Sequence, residues 1–215
     1  WKIGDPETGS AGVPGAGNYI WITPTSGQTT PMKFDLGGGT CDIALVKSDS
    51  SNKERYVIVD SDMVRLGGRD WDAKLTNYII DVIEHKSGVT LRGNVGYEEK
   101  IRRAAISAKH DLSEPFKDKT IVRVEINEQI YTTPITRSIF DEITIPLLEK
   151  TMNCIQGLYD KNSGNCNIDE IICVGGSSNM PQVKETLEKC FPKCNVHLFE
   201  PEFAVVNGAA LFAEM

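Results

Sequence analysis

From Met32 onward, the alternation of apolar and polar residues predicts a chain in which strands and helices are interspersed. Seven segments have the pattern of β-strands: 32–36, 42–47, 56–60, 122–126, 130–135, 171–174 and 196–199. The first two are joined through a turn of three glycines, Gly37-Gly38-Gly39. This order of elements is typical of an α/β fold.

Apolar residues also recur at helical spacing in five segments: about 71–87, 97–112, 136–160, 182–191 and 203–215. Gly88 is a suitable C-cap for the first helix, and Pro181 is well placed to open the fourth. Pro146 lies inside the third and is predicted to break or kink it near Thr144, because proline donates no backbone hydrogen bond.

Residues 1–31 have a different composition, rich in Gly, Pro, Ser and Thr. Such a segment buries little apolar surface and is typical of a loop, a linker or a disordered region. Residues 19–22 have the pattern of one short strand. This segment is left without a functional assignment.

Overall composition excludes several classes of function. The 215 residues allow one large or two small domains, and the net charge of −7 disfavours a nucleic-acid-binding surface, which needs clustered Lys and Arg. No apolar run is long enough to span a membrane, and no signal peptide is visible at the start of the sequence. We therefore expect neither nucleic acid nor a membrane as a partner.

The six cysteines lack Cys-x-x-Cys spacing and the three histidines are scattered, which disfavours a zinc site. Cys41 and Cys173 lie in apolar strands and are predicted to be buried thiols. Cys190 and Cys194 flank a helix end and would pair only in an oxidising compartment.

The glycine turn has the chemistry of an anion site. Three consecutive residues without side chains leave their backbone N–H groups bare, and phosphate is the usual ligand of such a turn. Asp35 and Asp42 flank the turn, which favours a nucleotide held with a hydrated divalent cation. No Gly-Lys-Ser/Thr follows, so this is not a Walker loop. The alternative is a glycine-rich hairpin turn with a purely structural role.

Four motifs occur in a fixed order: Asp35-Leu36-Gly37-Gly38-Gly39-Thr40, Leu66-Gly67-Gly68-Arg69-Asp70-Trp71-Asp72, Val174-Gly175-Gly176-Ser177-Ser178-Asn179-Met180-Pro181, and the segment 201–210. Together they resemble the second half of the ATPase domain of the seventy-kilodalton heat-shock chaperones, the DnaK-like family. The resemblance implies an actin-like (ribonuclease H-like) ATPase lobe. Its inner subdomain would hold residues 32–66 and 144–215, and a smaller α+β outer subdomain would hold 67–143.

The resemblance also assigns roles to residues. Gly37, Gly38, Gly39 and Thr40 would line the β- and γ-phosphates of ATP or ADP, and Asp35 would hold Mg²⁺ through water. Asp35 and Thr40 are the catalytic candidates, since Thr40 would also orient the attacking water. The remaining nucleotide-binding candidates are Gly175, Gly176, Ser177, Asn179 and Met180 after the sixth predicted strand, Lys109 and Ser113 on the second helix, and Glu202 near the last helix.

The residues that the resemblance places around adenosine depart from the family pattern. Ile106 and His110 stand where the family usually has a glutamate and an arginine, and Asn179 replaces an arginine. Glu202 replaces an aspartate and Arg69 a glutamate. We therefore expect weaker or altered nucleotide affinity.

The function implied is a nucleotide-binding lobe of a stress-response chaperone whose full-length parent couples ATP hydrolysis to protein folding. The family's first lobe supplies a second phosphate loop and a catalytic lysine that these residues lack, so this chain alone should hydrolyse ATP slowly or not at all. Implied partners are that lobe, a peptide-binding domain, exchange factors, J-domain co-chaperones and unfolded clients. The expected location is the cytoplasm, with the endoplasmic reticulum lumen as the alternative.

Two other functions stay open. One is a divergent, non-hydrolysing relative that acts as an exchange factor or holdase, favoured by Ile106, His110 and Asn179. The other is an actin-like or sugar-kinase-like ATPase, which shares only the glycine turn.

Overall fold

The computed structural model describes residues 30–48, 56–164, 166 and 168–213. Its strands are β1 Pro31–Leu36, β2 Cys41–Ser48, β3 Tyr56–Val64, β4 Lys119–Ile126, β5 Gln129–Thr136, β6 Glu170–Val174 and β7 Asn195–Leu198. Its α-helices are α1 Gly68–Ser87, α2 Val95–Ser113, α3 Arg137–Asn162, α4 Pro181–Cys190 and α5 Ala204–Ala213. The predicted strands and helices from Met32 onward are confirmed to within a few residues, although β3 is longer than predicted. The strand predicted at 19–22 lies outside the described residues.

The described chain divides into two compact units. The first holds the residues up to Gly67 and those from Lys150 onward, and the second runs from Gly68 to Glu149. The subdomain bounds predicted from the sequence, after residues 66 and 143, stay a prediction. The later division of the structure, after Glu149, falls inside α3.

The first unit contains a mixed five-stranded sheet in the order β3-β2-β1-β6-β7. β1 is antiparallel to β2 and parallel to β6, with Asp35 in register with both Asp42 and Val174. All six residues of β1 are buried, as expected for a central strand packed on both faces. Because β1 and β6 run in parallel, the loops that follow them leave the sheet at the same edge.

The second unit packs α1 and α2 with the hairpin of β4 and β5. The predicted apolar stripe of α2 is buried and consists of Ile101, Ala105, Ala108 and Leu112. Asn94 caps this helix, and its side chain accepts a hydrogen bond from the Tyr97 N–H at 3.2 Å. β4 alternates exposed and buried residues, so one face of the hairpin is covered.

Pro146 does not break α3, so the predicted break is wrong, while the alternative of a kink near Thr144 stays a prediction. Proline inside a helix costs about 3 kcal/mol, whereas each large apolar side chain buried along the helix contributes about 1.5–3 kcal/mol. Phe140 before the proline and Ile155 after it are both buried. Burial on both sides therefore outweighs the local preference.

All six cysteines are free thiols, and Cys41 and Cys173 are buried as predicted. None of the described helices combines the length and apolar character needed to cross a bilayer.

Candidate functional site

The turn between β1 and β2 presents bare backbone. Gly38 and Gly39 are exposed, and a Cβ atom built on either would find no atom within 4 Å. The Gly37 N–H donates to the Thr40 carbonyl at 2.9 Å, which closes the turn on itself. The predicted phosphate-binding residues Gly37, Gly38, Gly39 and Thr40 therefore lie in one closed turn whose middle glycines have open space in front of them.

Two other glycines support this turn from behind. A Cβ on Gly67 would lie 2.5 Å from the Gly39 nitrogen and 2.7 Å from the Gly37 oxygen. Gly175 has a φ of +82°, and a Cβ there would overlap the Leu36 carbonyl. Any side chain at either position would displace the turn. Gly67 was not predicted as a site residue, although the Gly67-Gly68 pair after β3 was a visible signal.

The loop after β6 is fixed to the same turn. Residues Gly176–Asn179 form a 3₁₀ turn, which the sequence analysis did not predict. Within it, the Ser177 hydroxyl donates to the Gly37 carbonyl at 3.0 Å. The Ser178 hydroxyl donates to the Val174 carbonyl at 2.6 Å, which anchors the turn to the end of β6. The structure thus brings Gly175, Gly176 and Ser177 to the glycine turn.

The other predicted nucleotide-binding residues of the first unit differ in exposure. Asn179 is half-buried, and Met180 is only 2% exposed, at the start of α4. Glu202 is exposed in the turn before α5. Their assignment to the nucleotide base and its surroundings stays a prediction.

The acidic residues beside the turn have defined partners. Asp35 is 4% exposed, and its Oδ2 lies 3.2 Å from the Nζ of Lys33. The Thr40 hydroxyl donates to Asp42 Oδ2 at 2.8 Å. The Thr40 oxygen keeps its lone pairs for a donor such as water. Lys33 was not predicted as a site residue, although a lysine within an apolar strand, two positions before Asp35, shares its face.

These donors fit a hydrated magnesium ion better than a metal held by protein ligands alone. Across the described ranges, no three or more His, Cys, Asp or Glu side chains cluster to hold a metal ion. Mg²⁺ usually keeps several waters and uses one or two carboxylates together with substrate phosphates. Asp35 and Asp42 supply such carboxylates, and the bare amides supply the phosphate cradle.

Lys109 and Ser113 belong to the second unit, whereas the glycine turn belongs to the first. The Lys109 Nζ lies 2.8 Å from Asp72 Oδ1 and donates to the Gly68 carbonyl at 3.2 Å. The Ser113 hydroxyl donates to the Lys109 carbonyl at 2.9 Å. Both side chains therefore have partners within their own unit, and their role toward adenosine stays a prediction.

The second unit also has a groove of about 460 Å³ between α1 and α2. Its lining includes Arg69, Asp72, Ile80, Val95 and Arg102. Most of its charged groups pair with one another or with neighbouring residues, as Arg102 does with Glu99 at 2.7 Å. This groove was not predicted from the sequence.

Comparison with known protein families places most of the chain in one family model. The family model described as Hsp70 protein matches residues 24–215. This range includes the whole second unit, the first unit from residue 24 onward, and all four sequence motifs. Only residues 1–23 lie outside it.

Proposed function

The chain belongs to the Hsp70 family, whose members are chaperones with a nucleotide-binding ATPase domain, and from this premise we propose that its glycine turn binds the phosphates of ATP or ADP. The predicted family is confirmed, and so is the actin-like α/β fold class.

The observation that carries the proposal is that the glycine turn is open on the solvent side and tightly packed on the side facing Gly67 and Gly175. A Cβ atom on Gly38 or Gly39 would meet no other atom within 4 Å. A Cβ atom on Gly67 would overlap the backbone of the glycine turn, and one on Gly175 would overlap the Leu36 carbonyl. A purely structural hairpin turn would need neither the open front nor two supporting glycines from distant segments. Close backbone approach to a ligand explains both features.

Within this proposal, Gly37, Gly38, Gly39 and Thr40 hold the β- and γ-phosphates, and the Gly176–Ser177 backbone lies nearer the α-phosphate. A magnesium ion bound with the nucleotide would neutralise phosphate charge, and Asp35 and Asp42 would accept hydrogen bonds from its waters. Thr40, with its proton committed to Asp42, would accept a hydrogen bond from the attacking water and orient it.

At the level of a full-length parent with both lobes, we propose ATP turnover coupled to the binding of unfolded clients, with J-domain co-chaperones and exchange factors as partners. A non-hydrolysing relative is the second candidate. It is favoured by Ile106, which is half-buried, and by the exposed His110, since neither side chain offers the carboxylate or guanidinium of the family pattern.

Calorimetric titration with ADP and Mg²⁺ tests the phosphate site. Gly38→Ala adds a methyl group into open space, so we expect an unchanged thermal midpoint and ADP affinity reduced by about 10- to 100-fold, as for the loss of a hydrogen bond to a charged group. Gly157→Ala, in open space on α3, is the matched control and should bind like the unsubstituted chain. Equal affinity for all three proteins, or no binding by any of them, would refute the proposal.

A further inference from the structure

Two carboxylates face each other beside the glycine turn. Asp35 on β1 and Asp42 on β2 are register partners, and paired positions of antiparallel strands place their side chains on the same face. Like charges directly opposite one another destabilise a sheet. Asp35 is 4% exposed, so solvent screens this repulsion poorly. A nearby cation would offset this repulsion.

Lys33 supplies this cation from within the sheet. Its side chain is 8% exposed, and its Nζ lies 3.2 Å from Asp35 Oδ2. The register partners of Lys33 are Ala44 on β2 and Ile172 on β6, which offer no charge. A lysine in such surroundings is retained only when an anion offsets its desolvation. Lys33 and Asp35 thus form a buried ion pair on β1, the strand that leads into the glycine turn.

We propose that Lys33 is a built-in counter-ion for the Asp35–Asp42 pair and makes nucleotide binding at the glycine turn largely independent of Mg²⁺. This inference rests on the proposed nucleotide site. The side chains of Lys33, Asp35 and Asp42 together carry a net charge of about −1, whereas the two carboxylates alone would carry about −2. The carboxylates therefore attract a divalent cation less strongly, and the ammonium group supplies part of the positive charge that a polyphosphate needs.

The test compares ADP affinity by calorimetry in excess Mg²⁺ and in EDTA. For the unsubstituted chain we expect the two affinities to agree within about threefold, and for Lys33→Met we expect binding at least about tenfold tighter with Mg²⁺. Mg²⁺ alone should raise the thermal midpoint of Lys33→Met but not that of the unsubstituted chain, because only the variant loses the Lys33 cation beside its carboxylates. Lys47→Met, an exposed lysine on β2, is the matched control and should show no metal response.

The possible outcomes separate the two proposals. If the unsubstituted chain binds ADP only with Mg²⁺ and Lys33→Met behaves identically, the counter-ion role is wrong while the nucleotide site stands. If the unsubstituted chain binds no ADP in either buffer, the nucleotide site itself is wrong and this inference fails with it. Should Lys33→Met not fold, the unsubstituted chain and Lys33→Arg decide, since both retain the cation and both should bind ADP in EDTA.

Discussion

Gly67 lies directly behind Gly39, and a Cβ at position 67 would come within 2.5 Å of the Gly39 amide nitrogen. Gly67 follows β3, so this contact joins a distant part of the chain to the turn between β1 and β2. The backbone of the turn is therefore shaped by tertiary packing as well as by its own sequence. Two separate glycine motifs act as one structural unit.

Gly67→Ala should lower the free energy of unfolding by about 1–3 kcal/mol, because the added methyl group overlaps backbone atoms that have little room to move. Urea denaturation measures this change. Gly38→Ala should leave the stability nearly unchanged, since its methyl group enters open space. Equal stability of the two variants would show that Gly67 does not support the turn.

Replacing Arg137 by lysine should destabilise the fold. Its guanidinium donates to the carbonyls of Leu112, Glu114 and Lys117 at 3.1, 2.9 and 2.7 Å. A lysine cannot reproduce this fork of donors, so we expect Arg137→Lys to lower the free energy of unfolding by about 1–3 kcal/mol. Arg103→Lys, on the exposed face of α2, should change it by less than about 0.5 kcal/mol. Similar losses in both variants would contradict this account.

Asp60 should make stability depend on pH. Hydrogen bonds from Lys161 at 2.7 Å and Asn162 at 3.0 Å hold the pKa of the Asp60 carboxyl below its ordinary value. A lowered folded-state pKa means that the stabilisation is complete above the ordinary aspartate pKa and is lost as the pH falls through the lowered value. The stability difference between the unsubstituted chain and Asp60→Asn should therefore be largest near neutral pH and shrink in acid. A difference that does not vary with pH would show that the charge of Asp60 contributes nothing.

The cysteines should differ sharply in reactivity. Burial raises the pKa of the Cys173 thiol to about 12 and that of Cys41 well above its ordinary value, whereas Cys190 is exposed. Because the thiolate is the reactive form, a maleimide at neutral pH should modify Cys190 in the folded chain. Cys41 and Cys173 should react only after unfolding. Mass spectrometry of labelled peptides would detect the opposite order, which would contradict the burial of these strands.

The sequence predicted the strands and helices because their apolar periodicity is a local property. It predicted the glycine turn, with Gly175 and Ser177, because the motifs carry the family resemblance. It did not predict the ion pair of Lys33 with Asp35 as part of the site, the contact of Gly67 with Gly39, or the uninterrupted helix through Pro146. The contact of Gly67 with Gly39 and the continuous helix depend on tertiary packing, which a local pattern does not show. The i,i+2 spacing of Lys33 and Asp35 was visible, but the burial of the lysine beside the turn was not.

The adenosine residues illustrate the same limit. Helical spacing places Lys109 and Ser113 on one face of α2, but it does not reveal that the Lys109 ammonium pairs with Asp72 on α1. A paired lysine is held in position by its partner, and this pairing depends on the packing of α1 against α2, which the spacing along one helix does not show.

The most direct test of the central claim is an NMR titration of the ¹⁵N-labelled chain with ADP, because backbone amide shifts report weak binding at single residues. We predict saturable shifts for the amides of Gly37, Gly38, Gly39 and Thr40, with smaller shifts at Gly176 and Ser177. We predict the same pattern at the glycine turn for pyrophosphate, which lacks the nucleoside. If the amides of the turn stay unchanged at saturating ADP in a folded sample, the glycine turn is not the phosphate site.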